Sequence, residues 1–159
     1  MNILIDLVKN PVFLSAGGAW LVAQGGKNIY EAIRYGFSKE RLAGGGGMPS
    51  AHSATMTGLT VGCFLTHTAA SAEFAVALFL AVVVIYDAMG VRLETGQQAK
   101  IPNRMRERDI TEGREPLFDK PMDEHMGHTL SEVIVGVIIG IILAAVMCTW
   151  IAPLIQSVL

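Results

Sequence analysis

Cysteine is nearly absent: Cys63 and Cys148 are the only two in 159 residues, and both lie inside apolar stretches rather than in loops. That leaves neither a disulfide framework nor a cysteine-based metal spacing. Charge is scarce as well. Asp, Glu, Lys and Arg make up 16% of the chain and the formal net charge is −2, with no long run of one sign. Such a balance gives no footprint for nucleic acid or another polyelectrolyte. The first residues lack the basic start, apolar core and small-residue cleavage pattern of a signal peptide, because Asp6, Lys9 and Pro11 interrupt the first apolar run. The whole chain is therefore read as mature protein. No internal repeat is visible.

What is abundant is apolar. With 52% hydrophobic residues and the charges gathered into a few segments, the chain reads as an integral membrane protein of one all-α domain covering residues 1–159. Asn10-Pro11 opens a helix whose apolar run, Val12 to Ala23, is too short to span a bilayer and must continue through Lys27 towards Tyr30. Lys27 then either snorkels to the interface or turns inward to a site. A second helix is expected over about 50–68, with Gly58 and Gly62 at the spacing of a helix-contact motif. A third should run over about 72–91, apolar from Phe74 to Tyr86 and interrupted by Asp87. Residues 100–124, with six basic and seven acidic side chains, read as a hydrophilic loop carrying at most a short helix over 104–112. The clearest span is Val133 to Ala152, twenty residues without a formal charge, on which Gly136 and Gly140 form another small-residue face. That makes about four transmembrane helices. Eleven of the twelve Lys and Arg residues then fall on the side of the loops after the first and third spans, which the positive-inside rule assigns to the cytoplasm.

Three segments carry residues suited to chemistry. In Gly44-Gly-Gly-Gly-Met-Pro-Ser-Ala-His-Ser-Ala54, glycines such as Gly46 and Gly47 can turn sharply and present N–H groups to an anion. Pro49 suits the first turn of a helix, Ser50 or Ser53 can cap it, and His52 stands where a phosphate would meet the positive helix end. A plain glycine linker is the alternative. At the entrance of the last span, His128 and Glu132 are four apart, so the carboxylate can take the proton of one ring nitrogen and leave the other as a nucleophile. Thr129-Leu-Ser-Glu132 also fits a capping box. Asp87 near the end of the third helix has Arg92 as its nearest cation, either closing the helix end as an ion pair or orienting the guanidinium towards phosphate. A metal reading would instead use Asp87 with Glu94.

At these residues the sequence resembles the divergent membrane branch of the type 2 phosphatidic acid phosphatase and vanadium haloperoxidase superfamily. The resemblance is carried by Gly46-Gly-Met-Pro-Ser-Ala-His52-Ser-Ala54, by Asp87-Ala-Met-Gly-Val-Arg92 with Gly96-Gln-Gln-Ala99, and by Gly127-His128 with Glu132-Val133. It implies a helix bundle with one phosphate pocket at its end. His128 would take the phosphoryl group, Glu132 would orient it, and His52 would protonate the leaving alcohol. Lys27, Ser50 and Arg92 would bind phosphate oxygens, with Arg41 a further candidate, and Asp87, Gly46 and Gly47 would support the pocket. The sequence departs from the superfamily pattern at Ala51, Tyr35 and Glu132, where that pattern has glycine, proline and aspartate. No cofactor or metal is called for, since cationic side chains and backbone donors can stabilise the phosphoryl oxygens. The implied partners are a lipid phosphate substrate and the membrane, with room for a homo-oligomer and no role for nucleic acid. The implied setting is the plasma membrane of a prokaryote, with the site loops cytoplasmic. Hydrolysis of a lipid phosphate monoester or pyrophosphate is the activity expected. Non-catalytic binding or movement of an anionic lipid head group is the reading from a different class, and turnover separates the two.

Overall fold

A computed structural model describes residues 3–36 and 46–158, and among these residues there is no β-strand. Two helices open the chain, α1 (Ile3–Lys9) and α2 (Pro11–Tyr35), followed by α3 (Ala51–His67), α4 (Ala72–Met89), α5 (Val91–Thr111) and α6 (Leu130–Val146). A π-helical turn at Met147–Ile151 carries α6 into α7 (Ala152–Val158).

The helix starts follow local chemistry. The Asn10 side chain accepts from Val12 N at 2.9 Å and Phe13 N at 3.2 Å, with Pro11 in the first turn of α2. Ser71 accepts from Phe74 N at 3.1 Å to start α4. Pro49 lies outside α3, not in its first turn as expected, because Ser50 is the cap and Ala51 the first helical residue.

The interior is built from the smallest side chains. Ala19, Ala23, Ala51 and Ala54 are buried together, with Ile139 and Leu143 packed against them. Large apolar groups such as Phe79, Val83, Ile138 and Trp150 point outward. A soluble domain would bury those groups and expose polar ones; the inverse arrangement suits a lipid surround. Two helical rods, Ala72–Thr111 and Leu130–Val158, are long and apolar enough to cross a membrane. α2 and α3, expected as two further spans, are less apolar or shorter: α2 carries Lys27, Glu31 and Arg34 in its second half, and α3 has 17 residues.

α3 stands at the centre, packed on α2, α4 and α6. Its Gly58 and the glycines of α6 face backbone. A Cβ on Gly58 would lie 2.8 Å from Ser15 O, and one on Gly140 would lie 2.6 Å from Ala54 O. The helix axes can approach only because those side chains are missing. Thr60 adds a polar stitch, its hydroxyl donating to Met56 O at 2.8 Å and across to Ala77 O on α4 at 3.2 Å.

The segment read as a hydrophilic loop is the main correction. Val91–Thr111 is a helix of 21 residues, far longer than the short helix expected over 104–112, and Gly90 marks its junction with α4. Its buried face, Gly96, Ala99 and Asn103, carries the return segment that leads to α6. Asn103 holds that segment with both ends of its amide, accepting from Met122 N at 2.8 Å and donating to Met122 O at 2.9 Å and Glu124 Oε1 at 2.8 Å. Arg106 grips it further along, donating to Phe118 O at 3.1 Å and Asp119 O at 2.7 Å.

Candidate active site

The polar residues singled out from the sequence gather where the second half of α2, the start of α3, the α4–α5 junction and the start of α6 meet. His52 is exposed on the first turn of α3, while His128 is buried just before α6. Their ring centroids are 5.8 Å apart, with the planes inclined at 60°. One phosphoryl group could touch both rings. Arg92, Asp87 and Lys27 also lie close enough for their charges to act on His52. Side chains from four helices thus converge on one place.

His128 is held at three points. Its backbone N–H donates to Ala88 O at 2.9 Å, tying it to the end of α4. Its Nδ1 lies 3.1 Å from Glu132 Oε2, which also accepts from Thr129 N at 3.2 Å. One oxygen thus takes part in capping α6 and contacts the imidazole, so both contacts that the sequence allowed for this segment are present. With Nδ1–H given to the carboxylate, Nε2 keeps its lone pair. The third point is steric. Gly127 has φ +83°, and a Cβ there would fall 2.3 Å from Leu93 N.

Glycines close the other side of the same segment. A Cβ on Gly46 would lie 2.1 Å from His125 O, and one on Gly96 would lie 2.9 Å from Glu124 O and from Met126 O. Residues 124–127 thus run between the Gly46 strand of loop and α5, with clearance only for hydrogen at these positions. Gly47, at φ +99°, borders Glu31 and Lys27: its Cβ would meet Glu31 Oε1 at 3.0 Å and Lys27 Cε at 3.2 Å.

Lys27 is 3% exposed, so of its two readings the inward one holds. Ser50 is fully buried; its hydroxyl accepts from Ser53 N at 3.3 Å and Ser53 Oγ at 3.0 Å, and its own N–H donates to Glu132 O at 3.1 Å. It joins the starts of α3 and α6. Asp87 and Arg92 form the expected ion pair, both partly exposed. Arg41, Gly44 and Gly45 lie outside the described residues. Among the described residues no three His, Cys, Asp or Glu side chains cluster in a way that could hold a metal ion.

Sequence reasoning missed Glu31, whose Oε2 is buried without a hydrogen-bond partner among the described residues. Its spacing of four from Lys27 on one helix face was the available signal. It also missed Asn103 and the Ala88 carbonyl, whose roles depend on distant segments.

Residues 8–143 match the model of a family described as the Divergent PAP2 family. A relative in Bacillus subtilis (strain 168), described as the uncharacterized membrane protein YuiD, is 37% identical over 97 residues, covering 55% of this chain and 61% of the relative. The match thus covers less than two thirds of that protein's length. No solved structure matches the chain.

Proposed function

The chain belongs to the Divergent PAP2 family, and from that premise we propose that it is a lipid phosphate phosphatase working through a phosphohistidine. The observation that carries this reading is the pair of imidazoles 5.8 Å apart, one of them held by a carboxylate at 3.1 Å. His128 Nε2 attacks phosphorus, and the bond from phosphorus to the ester oxygen breaks. His52 gives its proton to the departing alkoxide. It then takes a proton from the water that attacks the phosphohistidine, and inorganic phosphate leaves. Lys27 and Arg92 supply positive charge for the phosphoryl oxygens, in a setting where fixed charges act strongly.

In this reading α2, α3, α4 and the rod from α6 through α7 are four spans. The segments after α2 and α4, the latter being α5 and its return segment, face the cytoplasm, as the distribution of lysine and arginine suggests. A membrane lipid would then bring its phosphate to the bilayer surface where these residues gather.

The test compares the two histidines across substrates. His128→Ala should abolish both the covalent phosphoenzyme and turnover, whatever the leaving group. His52→Ala should lose roughly 10²–10⁴-fold on an alkyl ester and regain part of that on a substrate whose leaving group needs no proton. Near-normal turnover by His128→Ala would overturn the mechanism.

A further inference from the structure

On α2 the positions that face the bundle interior recur every four residues: Ser15, Ala19 and Ala23 are fully buried, and Lys27 is 3% exposed. Glu31 is the next residue on that stripe and is partly buried, whereas Ile29, Tyr30 and Ile33 around it are exposed. Its carboxyl group therefore turns inward, to where Lys27 enters the site. A Cβ on Gly47 would meet Glu31 Oε1 at 3.0 Å and Lys27 Cε at 3.2 Å, so the two side chains flank one point of the loop that leads into the Ser50 cap of α3. The Lys27 charge in turn acts on His52. Glu31 thus borders the site one helical turn beyond Lys27.

The other oxygen, Oε2, is buried and has no hydrogen-bond partner among the described residues. A buried acceptor without a donor has lost its water and gained nothing in return, and an ionised one loses more. An ionised carboxyl accepts and cannot donate, so Oε2 is no holder of phosphoryl oxygens, which are acceptors themselves. What it can take is a donor brought by the ligand. The neighbouring Lys27 decides which: an ammonium would set a second cation against the first, while a hydroxyl adds no charge. Distance decides where. Lys27 and Glu31 are four residues apart, roughly 6 Å along α2, which matches the reach from a phosphoryl oxygen to a hydroxyl on the second or third carbon of the ester.

We propose that Glu31 Oε2 accepts a hydrogen bond from a hydroxyl on the alcohol part of the substrate, so that the site selects hydroxylated lipid phosphates. The proposal rests on the phosphatase reading for the phosphate between His52 and His128. Glu31 is then a specificity residue. It makes and breaks no bond and acts on which alcohol carries the phosphate, because a site built around a substrate hydroxyl leaves its own buried acceptor unpaired when that hydroxyl is missing.

Two long-chain alkyl phosphates, one with a hydroxyl on the second carbon and one without, test this in detergent micelles. The wild type should favour the hydroxylated ester by roughly 10- to 100-fold in kcat/KM, as expected of a hydrogen bond to a charged group. Glu31→Leu should turn over the two esters alike, mainly by losing rate on the hydroxylated one. Glu31→Gln keeps the shape and one acceptor oxygen but not the charge; it should retain a reduced preference, and it gives the answer where the leucine variant fails to fold. Equal rates on the two esters in the wild type would mean that water meets Oε2, and equal losses on both in the variants would make Glu31 a structural residue. Either result overturns the proposal, as does faster turnover of an ester with an ammonium in place of the hydroxyl. Binding of the two matching non-hydrolysable phosphonates, followed by titration calorimetry, does not depend on turnover. A hydroxyl preference there that Glu31→Leu removes, without phosphate release from any ester by the wild type, would keep the assignment of Glu31 and remove the phosphatase reading. Phosphonates bound equally by the wild type would remove the assignment and leave that reading untouched.

Discussion

Gly127→Ala separates steric closure from backbone strain, because Gly113 supplies a matched control. Both glycines have positive φ, +83° and +70°. An alanine at either pays about 1–2 kcal/mol for the left-handed conformation. At Gly113 nothing lies within 4 Å of the added carbon, whereas at Gly127 it meets Leu93 N at 2.3 Å, Leu93 Cα at 2.4 Å and Arg92 C at 2.8 Å. All three are backbone atoms of α5 and cannot swing aside. Overpacking of this kind adds about 1–3 kcal/mol. At roughly 2–4 °C per kcal/mol for a chain of this size, Gly127→Ala should melt about 2–12 °C below Gly113→Ala in the same detergent, followed by far-UV circular dichroism. Reaching ordinary contact requires a shift of about 1 Å, and the residue that moves with it is His128. A displacement of that size can cost about 10²-fold in rate, so phosphate release should fall by that order in Gly127→Ala and stay near wild type in Gly113→Ala. Equal melting temperatures and equal rates for the two variants would show that the contact with α5 does not hold the histidine.

Two further outcomes follow from other parts of the molecule. Asn103→Leu removes the amide that holds Met122 and Glu124, at a cost of about 1–3 kcal/mol, so amide exchange at Met122 should quicken by roughly 10- to 100-fold while the helical content is kept; unchanged exchange would mean the return segment is held by something else. With Cys63 and Cys148 replaced, a cysteine at Thr111, exposed at the end of α5, should resist an impermeant thiol reagent in intact cells. Ready labelling there would turn the protein over and put the site on the outer face.

What the sequence disclosed were features whose cause is local. Asn10-Pro11 and Ser50 start helices through side chains within three residues of the groups they cap, so spacing alone reveals them. The pairing of His128 with Glu132 is legible for the same reason, being one helical turn long. Gly58, Gly62, Gly136 and Gly140 are readable as helix contacts because four-residue spacing puts them on one face. The long polar helix α5 was hidden because its support is not local: Asn103 bonds to residues 19 and 21 positions away, and nothing in a run of charged residues announces that partner. Gly46 is read from the sequence for its freedom to turn, yet what Gly46, Gly96 and Gly127 each provide is the absence of a side chain against a distant backbone. Lys27 could not be oriented from the sequence, because snorkelling and inward placement ask for the same residue at the same helix depth.

The single oxygen Glu132 Oε2, shared between the Thr129 N–H and the His128 ring, makes the chemistry inseparable from the start of a helix. An imidazole held by a free side chain could sample several orientations; here the carboxylate is pinned to a backbone amide, and the ring inherits the stiffness of the first turn of α6. In the proposed phosphatase the nucleophile would be aimed when that turn winds, before any substrate arrives, and fraying of α6 at its entrance would switch the site off without moving a catalytic atom from its own residue.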